Sequence, residues 1–139
     1  MFIGHGNAGI LSLPDKSSCV VGGSVVILAN KKTGRCCALN WRSKKLVRKV
    51  VSAMAGEALE MNDTIAEVVY IKSILKQVLG DKIVEIPAIL VTDSINLDEA
   101  IYSSSLVQDG RLIPDIAIIK EAVETGVVTD VRKVKSGEM

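Results

Sequence analysis

The sequence predicts one α/β domain, a mixed β-sheet with helices packed on it. Three observations carry this. Short β-branched apolar runs bounded by glycine, proline and asparagine mark strands near both ends of the chain. A long central stretch, 51–79, has helical apolar spacing and no proline. The loop between the second and third strands is too short for a crossover helix, whereas the later strands are separated by helices. The sheet therefore begins antiparallel and continues parallel. At 139 residues, 48% of them hydrophobic, residues 1–139 make a single domain with enough apolar mass for a core.

The elements follow in order. Residues 2–9 read as a short strand ending in the glycine-rich turn Gly6-Asn7-Ala8-Gly9. Residues 11–23 read as a loop, and 24–29 (SVVILA) as a buried strand. Asn30 to Gly34 is a hairpin loop, 36–41 a third strand and 42–49 a basic linker. The helix 51–79 stops at Gly80. An apolar strand within 83–92, mainly 88–91, leads to short helices at 97–103 and 111–124, a last strand at 127–134 and a polar tail.

Composition excludes several function classes. The net charge of +1 hides an asymmetry. Residues 1–50 carry nine Lys or Arg and one acid, a net +8, and 51–139 carry eight basic and fifteen acidic residues, a net −7. That split suggests a polyanion-facing side and an acidic site elsewhere. The four aromatics, Phe2, Trp41, Tyr70 and Tyr102, are few for a binder built on base stacking. The longest nearly apolar run, 20–29, is too short to span a bilayer, and the N-terminus lacks the pattern of a signal peptide. Cys19, Cys36, Cys37 and the single His5 make neither a disulfide framework nor a zinc cluster. The thiols read as reduced core residues of an intracellular protein, cytoplasmic or nuclear.

Few residues stand out chemically. Met54, Glu57, Met61, Ile65 and Val68 form one helical stripe, so Glu57 lies on the face expected to meet the sheet. A carboxylate there needs a partner or a metal, unless it snorkels to water from the stripe's edge. Asp93 follows an apolar strand, where ligands bind in open α/β sheets and where helix N-caps also occur. The cations Arg42, Lys44, Lys45, Arg48 and Lys49 are a phosphate grip or a solvated loop. Asn7 is an ordinary turn residue and His5 a structural or solvated one. No phosphate-binding or nucleophile-elbow motif is present.

Together the segments resemble the ribonuclease H domain of LTR-retrotransposon (retrovirus-related) Pol polyproteins. The resemblance rests on Trp41, the run Ser43-Lys44-Lys45, and Ala55-Gly56-Glu57-Ala58-Leu59 on the long helix. It extends to the Thr92-Asp93-Ser94 strand end and to RLIPDIAIIKEAVETG at 111–126. Upstream, LPDKSSCVVGGSVVILAN at 13–30 is similar to the segment joining the family's first two strands. The family implies a ribonuclease H-like fold: a five-stranded mixed sheet, its first three strands antiparallel, with helices on its faces. It also implies hydrolysis of RNA in RNA–DNA hybrids beside reverse transcriptase, by a carboxylate cluster holding two magnesium ions. Glu57 and Asp93 match two of its ligands. Asn7 is assigned to the first-strand aspartate, and asparagine binds magnesium weakly. The family's last acidic ligand follows the fifth strand, and the chain is expected to stop just short of it, with the C-terminal helix missing or truncated and Glu138 the one candidate to substitute. Ile95 stands where relatives carry a polar residue. The chain is therefore expected to be an impaired hybrid nuclease. The alternative is an inactive hybrid-binding or protein-interaction module that retains the fold.

Overall fold

The computed structural model describes residues 1–12, 18–46, 53–83, 86–102, 110 and 112–135. Five strands form one sheet, β1 (Phe2–Ser12), β2 (Ser18–Ala29), β3 (Cys36–Lys45), β4 (Ala88–Thr92) and β5 (Asp130–Lys133). Their spatial order is β3-β2-β1-β4-β5. The pairs β1–β2 and β2–β3 are antiparallel, and β1–β4 and β4–β5 are parallel. The helices are α1 (Ala53–Leu79), α2 (Ile95–Tyr102) and α3 (Ile113–Glu124). No helix among the described residues is long and apolar enough to cross a membrane.

The first hairpin is longer than the composition of 6–23 suggests. Gly6-Asn7-Ala8-Gly9 lies inside β1, not in a turn, with Asn7 opposite Gly23. Likewise, 42–45 belong to β3 rather than to a linker. The cause is the same in both places. Ladder pairing with a neighbouring strand outweighs the weak intrinsic preference of glycine, asparagine and lysine against strands.

Glycines also set how closely α1 approaches the sheet. On the helix-facing side of β1, Phe2 is fully buried and is followed two and four residues later by Gly4 and Gly6. A Cβ at Gly6 would lie 2.7 Å from Thr64 Oγ1 and 3.1 Å from the Glu60 carbonyl oxygen. A Cβ at Gly22, on β2, would collide with the Glu60 carboxylate. The helix lies directly on this glycine strip, and Glu60 and Thr64, on its inner face, are wholly buried. Gly80, with φ +85°, ends the helix in the left-handed region.

Two apolar clusters fill the helix-facing side. Met61, Ile65, Leu90, Leu97, Ile116, Ile119 and Val131 join α1, α2 and α3 to β4 and β5. Phe2, Val26, Val68 and Ala88 form the second cluster, towards the other end of α1. All three helices thus pack on one face of the sheet. Cys36 and Cys37 are exposed at the start of β3, not in the core.

Candidate functional site

Strand β4 ends at Thr92, and the chain turns at once into α2. Thr92 Oγ1 accepts the Ser94 N–H at 3.1 Å, and Ser94 Oγ caps α2 by accepting the Leu97 N–H at 3.2 Å. These local bonds hold Asp93 at the carboxyl end of the strand.

Glu57 comes to the same place from α1. Its carboxyl is held above the ordinary glutamate range, chiefly by burial. A hydrogen bond from Ser94 pulls it back, the Asp93 carboxylate pushes it further up, and His5 pulls it down. Glu57, Asp93, Ser94 and His5 are therefore electrostatic neighbours. Two sequence-predicted residues, Glu57 and Asp93, are brought together.

His5 is the residue that sequence reasoning passed over. Its place follows from pairing: His5 sits opposite Val25 on β2 and Val91 on β4. One register row runs Trp41–Val25–His5–Val91–Arg132 across the sheet. The His5 Nδ1 lies 2.9 Å from the Val91 carbonyl oxygen. A carbonyl only accepts, so Nδ1 carries the proton and a neutral ring presents Nε2 as acceptor. The available signal was Gly4-His5-Gly6: two glycines cleared for a helix, with a polar side chain on the opposite strand face. Asn7 lies two residues further along β1, and its side chain is outside the described residues.

The basic run divides in three. Arg42 turns towards α1, with its guanidinium 2.8 Å from Glu60 Oε1, 3.0 Å from Glu67 Oε1 and 3.5 Å from Asp63 Oδ2. Lys44 Nζ bonds Asp63 at 2.9 Å. The Arg42–Glu60 pair reaches a fully buried carboxylate, whereas the Lys44–Asp63 pair lies on the surface. Lys45 is exposed, and Arg48 and Lys49 lie outside the described residues, as does Glu138.

Raised by burial, the Glu57 carboxyl binds its proton more tightly folded than unfolded. Its contribution to stability is present below the unfolded pKa and is lost as pH rises through the folded one. Glu57→Gln should therefore raise the melting temperature at pH 7 by up to about 4 °C, after allowance for its partial exposure. The gap should close near pH 4. A gap that does not change between pH 7 and pH 4 contradicts the burial-driven shift.

No protein-family model matches the sequence, and no curated protein does. Solved structures do match. An LC11-RNase H1 in complex with an RNA/DNA hybrid superposes with TM-score 0.65 at 15% identity, over 99% of this chain and 86% of that one. An RNase H1 from the halophilic archaeon Halobacterium salinarum gives 0.62 at 11%, over 97% and 86%. Prototype foamy virus protease-reverse transcriptase gives 0.67 at 14%, with 99% of this chain matching 18% of that much longer one. At these identities the likeness shows the fold: the chain has a ribonuclease H-like fold.

Proposed function

We propose that this is a ribonuclease H-like domain that engages RNA–DNA hybrids with weakened hydrolysis. It is of the kind joined to reverse transcriptase in retroelement Pol polyproteins. The observation that carries the reading is the meeting of Glu57 and Asp93 beyond the carboxyl end of β4. The fold's likeness to an RNase H1 held on a hybrid and to a foamy virus reverse transcriptase supports it. The sequence motifs around Trp41 and Glu57 support the retroelement setting.

Two magnesium ions would activate a water and stabilise the leaving oxygen, given three or four carboxylates to hold them. The described donors do not fit that centre. Glu57 and Asp93 are the two carboxylates, and their next neighbour, His5, offers an imidazole, a poor magnesium ligand. Among the described residues no three His, Cys, Asp or Glu side chains come close enough to share an ion. The chain's own groups position and bind: Ser94 orients Glu57, and the Val91 carbonyl fixes the His5 ring. The same donor set favours a second reading, hybrid binding with no turnover at all.

The test measures binding and cleavage of a labelled RNA–DNA hybrid. The expected result is hybrid binding that weakens steeply with salt and little cleavage in magnesium. His5→Asp should raise cleavage at least about tenfold. A chain that does not bind hybrid at low salt overturns the proposal. Binding with no gain from His5→Asp leaves the non-hydrolytic reading in force.

A further inference from the structure

The first fifty residues carry the excess positive charge, yet Arg42 and Lys44 spend theirs on α1. Among the described residues Lys31, Lys32 and Arg35 line one open hollow of about 740 Å³, while the exposed Lys45 lies at the other end of β3. The hollow opens where the β2–β3 hairpin meets the segment entering β4, at Pro87. Asp93 is at the other end of β4, roughly 17 Å away at strand spacing. This is therefore a separate place from the Glu57–Asp93 site.

Three features define the cleft. First, no Asp or Glu lines it, and none of its three cations makes an ion pair among the described residues. Second, the turn that carries the cations is held in shape. Asn30 Oδ1 accepts the N–H groups of Lys32 at 2.9 Å and Thr33 at 3.3 Å, and Gly34 takes φ +69°. Third, the remaining wall, with Pro87, Cys36 and Cys37, is largely apolar. The hollow is open to solvent, so what it offers a ligand is convergent positive charge beside an apolar wall rather than enclosure.

We propose that this cleft binds a phosphate group, with the attached sugar or base against the wall of Pro87 and Cys36. Three unneutralised cations on one short turn repel each other, and a multivalent anion relieves that repulsion. Phosphate offers several acceptor oxygens and a charge between −1 and −2, which suits two lysines and a forked guanidinium. The phosphate comes from a nucleic-acid backbone or from a free nucleotide. The proposal stands on the cleft alone and does not need the hybrid reading.

The experiment uses the whole chain with three probes: inorganic phosphate, AMP and a labelled RNA–DNA hybrid, each against chloride at equal ionic strength. Amide NMR shifts of residues 29–37 should saturate with phosphate and AMP. Cys36 and Cys37 should be protected from maleimide labelling several-fold. Lys31→Ala, Lys32→Ala and Arg35→Ala combined should abolish both responses and leave the circular dichroism unchanged. If the source is a nucleic-acid backbone, the same triple change makes the salt slope of hybrid binding shallower by about two to three. An unchanged slope with intact AMP responses assigns the cleft to a free nucleotide. No response of 29–37 to any probe beyond chloride overturns the proposal. Failure to bind hybrid, with phosphate responses intact, counts against the hybrid reading alone.

Discussion

Arg42→Ala should destabilise the fold by about 3–5 kcal/mol, because it leaves the fully buried Glu60 carboxylate without its counter-ion. The guanidinium also bonds Glu67 at 3.0 Å, and Ser24 Oγ donates to Glu67 at 2.9 Å, so β2, β3 and α1 share one polar network. Among the described residues neither Glu60 Oε2 nor Arg42 Nε has a hydrogen-bond partner, so the pair carries an uncompensated desolvation penalty. That makes the double change informative. Arg42→Met with Glu60→Met should recover most of the loss, since replacing a buried pair by apolar groups is often neutral or stabilising. Urea unfolding measures all three proteins, with Lys45→Ala as an exposed control within about 0.5 kcal/mol. A loss under about 1 kcal/mol for Arg42→Ala would show that Glu60 is not held by this pair.

Gly6→Ala should destabilise by about 1–3 kcal/mol through overpacking. Its Cβ meets Thr64 Oγ1 at 2.7 Å and the Glu60 backbone at 3.1 and 3.2 Å, and backbone cannot swing aside. Thr64 is itself pinned, its hydroxyl donating to the Glu60 carbonyl at 2.7 Å. Thr64→Ala should therefore relieve part of the clash, visible as a favourable coupling in a double-mutant cycle. Gly110→Ala, with nothing within 4 Å of its added Cβ, is the control. Equal effects at positions 6 and 110 would refute the close contact between α1 and β1.

The parts of the site that were legible in the sequence share a local cause. Helical spacing put Glu57 on the inner stripe of α1, and an apolar run with Thr92-Asp93-Ser94 marked a strand end. Both signals lie within a few neighbouring residues. His5 was not legible in this way. Its place depends on β1 lying beside β4, and the pairing of His5 with Val91 spans most of the chain. The inward turn of Arg42 was hidden for a related reason. A basic run looks the same whether it faces solvent or three acids of a helix, and only the register of β3 on β2 turns Arg42 inward and leaves Trp41 73% exposed. The cysteines show the converse: an apolar residue type does not report burial at the start of an edge strand.

By itself the sequence determined the α/β class, the order of strands and helices, the stop at Gly80 and the candidacy of Glu57 and Asp93. These follow from periodicity, turn chemistry and propensity, which act over a few residues. Tertiary structure alone decided that His5 lies beside Val91 on β4 and that Arg42 turns towards the acids of α1. It also decided that Lys31, Lys32 and Arg35 gather around an open hollow at the far end of the sheet. Strand register and the closeness of helix to sheet depend on contacts between residues far apart in the chain. A one-residue change of register exchanges the face towards the helix for the face towards solvent, and with it the role of each side chain.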